Sequence, residues 1–442
     1  MNRRLARSIF VLLLFGARAM HGQEPPAIGL SVDDAVARAL ASSHKLAEAL
    51  ARADGAEAAI RTRQLAEQPT LNVSAGYTRT NRVQEFGLPQ PDGRLRLIFP
   101  DIPDNYFTHA TLQWPIYGGG RRPVLVRAAE AEARAASADV EVARADLRLE
   151  VVRTYWALVT ATESVRVVEE ALARADAHVR DVRSRFDTGL IPPNEVSAAE
   201  AQRSHQQLQL IEARNLRSSM IEELRRLTGI TGEIVPLESL GPTKVAPSPR
   251  PVEGRALAAP AAARPEQRAI EERITAAEDR AHAIGLQRRP TIALTAAGDY
   301  ANPNPRIFPR AATWRPSWEA GIVVNWNLWD GGRVAAESAE AAAVTRALRA
   351  RSADVDALVA SEVRQRQLDV DSAHAALATA EAAVHSATET RRVVAERFNA
   401  GVATSTDVLD AHVALLQAEL DRTRTLANIR LAEARLDRAL GR

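Results

Sequence analysis

The stretch WPIYGGGR at residues 114–121 returns as WNLWDGGR at residues 326–333, 212 positions later. The offset then holds without an insertion to the end of the chain. Arg185, Phe186 and Gly189 recur as Arg397, Phe398 and Gly401, and Leu224 and Gly229 recur as Leu436 and Gly441. A repeat of this length means that one supersecondary unit has been used twice, so whatever fold the chain adopts must be built from two matching halves.

Within each half the apolar residues follow a seven-residue spacing, which predicts coiled coils. Val151, Leu158, Val165 and Leu172 form one seam, matched by Val363, Val370, Leu377 and Val384. A second seam runs through Leu147, Ala161, Val168, Ala175 and Val182, matched by Val359, Ala373, Ala380, Ala387 and Val394. No proline falls between Val124 and Ile191 or between Arg333 and Arg442, so each half can carry a helix of about 65 residues, roughly 100 Å long. Gly189 and Gly401 supply the residue that ends such a helix, and Asn194 and Thr406 mark where the pattern resumes and the next helix is capped. Each half therefore reads as a long helical hairpin with its tip at the R-F-x-x-G motif.

Upstream of the Trp motif the offset changes to 221, because the first half has nine extra residues in a Pro/Gly/Asn/Asp-rich loop, where length variation is tolerated. Either side of that loop the apolar period drops to two. Leu71, Val73, Ala75 and Tyr77 form one apolar stripe, and Ala110, Leu112, Trp114 and Ile116 another. The second half repeats this with Ile292, Leu294 and Ala296, then Trp318, Ala320, Ile322, Val324, Trp326 and Leu328. Strands of about 10 residues with one apolar face are what a tilted strand needs to cross a bilayer, and tryptophans in or beside them suit an aromatic girdle. Four strands cannot close a barrel, and an open sheet cannot live in lipid, so the chain must oligomerise. A trimer would give a 12-stranded barrel continued by a tube of six hairpins.

Composition supports this elongated reading. Aromatics make up 4% of the 442 residues, while alanine, arginine, glutamate, leucine and valine dominate, the profile of long helices rather than of a thick globular core. A formal charge of +2 gives no basic surface for nucleic acid, and the absence of cysteine removes disulfides, thiolate metal sites and a lipid-anchored N-terminal cysteine. The N-terminus has Arg3, Arg4 and Arg7, an apolar run from Ile9 to Phe15 and an Ala17-Arg18-Ala19 site. It reads as a cleaved export signal over residues 1–22, cut near 19–23. The expected organisation is a first repeat at 23–230, with a strand pair at about 69–117 and a hairpin at about 119–229, a linker at 231–262, and a second repeat at 263–442, with a strand pair at about 290–329 and a hairpin at about 331–441.

In the ordered set of duplicated motifs, from LSVDDAVARAL at residues 30–40 to the last glycine, the chain resembles the TolC-type outer-membrane efflux protein family. The resemblance implies a homotrimer: a 12-stranded barrel in outer-membrane lipid and a long α-barrel across the periplasm. It would serve as the exit duct of a tripartite efflux or type I secretion system, docking onto a periplasmic adaptor and an inner-membrane transporter. The family's adaptor-docking tips fall on Arg185, Phe186, Gly189 and Leu190 and on Arg397, Phe398, Gly401 and Val402. Its acidic pore constriction falls on Asp407 and Asp410 in TDVLDAH, whose spacing of three puts them on one helical face. Ala403 stands where the family's best-known member has a gate arginine, so any gate network here would draw on Asn194, Glu195 and Phe398 instead.

Other classes fit less well. The nine histidines lack HxxxH spacing, and GGGRR has no Lys-Ser/Thr to hold a phosphate, so no enzyme, metal site or cofactor is expected. An exported coiled-coil scaffold without a pore would explain the heptads but not the paired strands in both halves.

Overall fold

The computed structural model describes residues 28–240 and 264–442. The expected export signal and residues 241–262 of the expected linker lie outside these. In chain order the elements are β1 (Ile28–Leu30), α1 (Val32–Ser42), α2 (His44–Gln64), β2 (Thr70–Arg79), β3 (Phe86–Pro89), β4 (Leu95–Phe99), β5 (Asp104–Tyr117), α3 (Arg121–Asp187), α4 (Pro193–Thr228) and β6 (Ile234–Pro236). The second half follows with α5 (Pro265–Gly285), β7 (Thr291–Asn302), β8 (Arg315–Asn325), α6 (Arg333–Asn399) and α7 (Ser405–Ala439).

The two long helices, α3 and α6, each have 67 residues, about 100 Å. Both begin straight after paired glycines with positive φ, Gly119 and Gly120 at 69° and 78° and Gly331 and Gly332 at 67° and 89°. These residues turn the chain from strand to helix in a conformation that a Cβ would penalise. Pro123 is accommodated because it sits in the first turn of α3, where its missing N–H would have no partner anyway.

Around α3 and α6 the shorter helices pack at two levels. Next to the sheet the order is α2, α3, α5, α6, and towards the tips it is α4, α3, α7, α6. The parallel pair β1 and β6, with α1, straps the middle of α3. Tyr155, fully buried, has its single hydroxyl donor between two acceptors, the Leu30 carbonyl at 2.9 Å and the Glu238 carboxylate, which also accepts from the Val32 N–H at 3.1 Å. Residues 231–240, expected as linker, thus contribute β6 and this clamp.

Four strands form one antiparallel sheet in the order β2, β5, β7, β8. Cross-strand register places Leu71 opposite Leu112, Trp114 opposite Leu294 and Leu294 opposite Ile322. The apolar stripes therefore coincide on one face of all four strands, while Thr111, Gln113, Thr295 and Glu319 share the other. Tyr77, Tyr106, Tyr300 and Trp314 cluster at one end, with centroids 4.9 to 6.1 Å apart. In the single chain this sheet is open, with β2 and β8 as free edges.

Four expectations need correction. The fourth strand ends at Asn325, short of Trp326 and Leu328, because the next cross-strand partner after Thr291 is Pro290, which has no N–H to donate. The first-half loop is not wholly irregular: β3 and β4 form a second antiparallel hairpin. Helix α4 starts at Pro193 and α7 is capped by Thr404, so neither Asn194 nor Thr406 is the cap. The two seams are also unequal. Val151, Leu158 and Val165 are buried, but of their second-half counterparts only Leu377 is, since α6 lies at the edge of the helical layer.

Candidate functional site

Both hairpin tips close in the same way. Gly189 and Gly401 have φ of 76°, and the N–H groups of Leu190 and Val402 reach back to the carbonyls of Arg185 and Arg397, each at 2.9 Å. The left-handed glycine lets the last carbonyls of α3 and α6 find partners before the chain turns. Leu190 and Val402 are left projecting into solvent, 74% and 64% exposed.

Their side chains are used differently. Phe398 is buried with Val179, Val182, Ala199 and Val408, and the Arg185 guanidinium lies 4.2 Å above its ring centroid. Arg185 also donates to the Phe398 carbonyl at 3.1 Å and to Asn399 Oδ1 at 2.8 Å, and it pairs with Asp181 at 3.2 Å. This arginine therefore fastens the end of the first long helix to the end of the second. Its sequence counterpart Arg397 and the counterpart phenylalanine, Phe186, are both exposed. Of the expected docking residues, then, Phe398 shapes the tip from inside, while Phe186, Leu190 and Val402 are presented to solvent.

Beneath Phe398 lies a pair of histidines that sequence reasoning missed. His178 on α3 shares a 2.8 Å hydrogen bond with the fully buried Ser405 at the start of α7, and its ring centroid is 5.6 Å from Phe398 and 5.9 Å from His412. Burial lowers the pKa of both, that of His412 to about 4, with the charges of His178, Arg174 and Arg391 adding to the effect. The available signal was that His178 lies seven residues before Arg185, on the same helical face.

Asp407 and Asp410 lie on the first turns of α7, both exposed. They do not act alike. The Asp407 carboxylate accepts from the Thr404 N–H at 2.8 Å and from its hydroxyl at 2.8 Å, while the Thr404 hydroxyl accepts from the Asp407 N–H at 3.2 Å. This is a reciprocal capping box, and those bonds from Thr404 hold the Asp407 pKa below its ordinary value. Asp410 has no such partner among the described residues. Asn194 is exposed and Glu195 half-buried, with one carboxylate oxygen lacking a hydrogen-bond partner, and neither is bonded to the Phe398 cluster among the described residues. Ala403 packs against that cluster. No three metal-binding side chains gather among the described residues.

Comparison with known proteins decides the family. The family described as Outer membrane efflux protein matches residues 35–230 and 260–442, nearly the whole of both repeats. This chain belongs to the outer membrane efflux protein family. It is similar to Outer membrane protein TolC of Vibrio cholerae serotype O1, 24% identical over 403 residues, covering 90% of this chain and 87% of that protein. The outer membrane protein VceC from Vibrio cholerae has the same fold, with a TM-score of 0.72 at 20% identity over 93% of this chain and 96% of its own. So does the Campylobacter jejuni CmeC outer membrane channel, with a TM-score of 0.74 at 17% identity over 100% of this chain and 94% of its own. As a member of an outer membrane efflux family, the protein resides in the outer membrane of a Gram-negative cell, with its helical part in the periplasm. No helix among the described residues is long and apolar enough to cross a membrane.

Proposed function

We propose that three copies of this chain close into a 12-stranded barrel and a helical tube. That assembly is a passive exit duct for cargo handed over by an inner-membrane transporter and a periplasmic adaptor, in tripartite efflux or type I secretion. The observation that carries this reading is that the open edges line up along the molecule. The sheet ends in β2 on one side and β8 on the other, and the helical layer ends in α2 and α4 on the first side and α6 on the second. Exposed apolar side chains mark both helical edges, Leu208, Ile211 and Leu216 on α4 and Val344, Leu358 and Leu368 on α6. A sheet edge left unpaired in lipid is too costly to persist, so each copy must join its β8 side to the β2 side of the next.

In this assembly the tips with Leu190, Val402 and Phe186 form the adaptor-docking end, with Gly189, Gly401, Arg185, Arg397 and Phe398 setting their shape. Asp407 and Asp410 form rings of carboxylates at the entrance, which favour cations and bind divalent blockers. Purified protein should run as a heat-sensitive trimer in detergent and give cation-conducting pores in planar bilayers. A monomer without conductance defeats the proposal. Replacing Gly401 by valine should abolish adaptor-dependent efflux while the trimer persists, because a β-branched residue cannot hold φ near 76°. Undiminished efflux would move the docking site elsewhere.

A further inference from the structure

The two halves of the chain are equivalent in sequence, yet one tip contact is made once where the repeat supplies it twice. Arg185 stacks on Phe398, donates to the Phe398 carbonyl and donates to Asn399 Oδ1. Moving each of these residues by the 212-residue repeat turns Arg185 into Arg397, Phe398 into Phe186 and Asn399 into Asp187. Within one chain this second set is not formed: Arg397 ends α6, the edge helix of the layer, and Arg397 and Phe186 both stay exposed although Arg185 ties the end of α3 to the end of α6.

The second set is also left without its partners. Phe186 is 42% exposed, whereas Phe398 is 5% exposed. Arg185 has an acid one turn back, Asp181, but the corresponding position before Arg397 is Val393. Neither Arg397 nor Asp187 has an ion-pair partner among the described residues. The field of Arg397 reaches Asp407, whose carboxylate is already held by Thr404.

We infer that Arg397 clasps the tip of the next copy of this chain, stacking on that copy's Phe186 ring and pairing with its Asp187 carboxylate. The inference rests on the trimeric reading above and names what that reading leaves open, the residues that join one protomer's entrance to the next. The contact between copies is the stronger of the two kinds. Where Arg185 meets the neutral Asn399, Arg397 meets a carboxylate, so the acceptor is charged as well as the donor and a bidentate pair is open to it. Cation–π stacking is common to both. The entrance would thus be ringed by six arginine clasps, three within chains and three between them.

The chain has no cysteine, so introduced thiols report without background. In the full-length trimer, Asp187→Cys with Arg397→Cys should give covalent dimers and trimers with a short bis-maleimide. Arg185→Cys with Asn399→Cys should cross-link within the chain and leave the monomer band. Failure to form any trimer would count against the trimeric reading. A trimer in which the second pair cross-links but the first yields no ladder overturns the clasp. Charge reversal gives an independent arm. Arg397→Glu and Asp187→Arg should each raise single-pore conductance at neutral pH, and the two together should bring it back towards wild type. A double variant as leaky as the singles also overturns it.

Discussion

The histidine pair, His178 buried and His412 half-buried, makes the tip sensitive to acid. His178 and His412 face one another across the α3–α7 seam, with Arg174, Asp181 and Arg185 on α3 and Arg391 on α6 nearby. Arg174 is paired with Glu419 and Arg185 with Asp181, so the carboxylates in reach are already committed. Because burial lowers the folded pKa of both histidines, the packed seam binds fewer protons than a separated one, in which imidazole titrates near its ordinary value of about 6.5. Stability is therefore full above that value and falls as the pH drops from about 6.5 to the value of about 4 held by His412. The wild-type melting temperature should drop more between pH 7.5 and 5 than that of a His178→Gln/His412→Phe variant, measured by circular dichroism. Equal drops would show that other groups carry the acid response. These histidines were invisible in the sequence because a buried histidine at a seam has no motif, whereas the arginines, phenylalanines and glycines of the tips were legible through their duplication. The two aspartates were legible by position but not by role: a carboxylate three residues after a threonine serves as a cap or as a pore charge, and only geometry separates the two.

At the level of elements that geometry yields a further prediction. Helix α7 begins with the reciprocal Thr404–Asp407 box, while α4, its repeat partner, begins with Pro192 and Pro193 and has no side-chain cap. Thr404→Ala should cost about 1 kcal/mol and speed amide exchange in the first turn of α7, and Pro192→Ala should cost much less. Since the Asp407 carboxylate is occupied in this cap, Asp410→Asn should remove most of the divalent-cation block of the pore and Asp407→Asn less; the reverse order in bilayer recordings would show that the cap opens in the assembled channel. Long elements were legible because a heptad repeated over many turns has no competing interpretation. Short ones were not: β1 and β6 have three residues each and are held by Tyr155 and Glu238 rather than by any period. The unequal burial of the two seams was equally hidden, because the sequence repeats the pattern without saying which copy lies at an edge.

On the scale of the whole molecule, the two faces of the sheet differ in chemistry, and in the proposed barrel the apolar face is the one turned to lipid. Register aligns Leu71, Leu112, Leu294 and Ile322 across all four strands on one face, and Thr111, Gln113, Thr295 and Gly321 on the other. On the polar face His109 lies 2.7 Å from Asp299 and is bonded to Thr111, an arrangement that suits a water-filled lumen. The single chain leaves both faces exposed, so the assignment rests on chemistry and can be tested with paired substitutions at similar depth. Ile322→Arg places a charge among the apolar residues near the middle of β8 and should cost about 2–4 kcal/mol if that face meets the bilayer core. The variant should accumulate outside the membrane fraction and lose its heat-sensitive trimer. Gln113→Arg, on the adjoining level of the opposite face, adds the same charge to the lumen and should assemble normally while shifting ion selectivity towards anions. If Gln113→Arg blocked insertion and Ile322→Arg altered selectivity instead, the sheet would have to close with the opposite curvature.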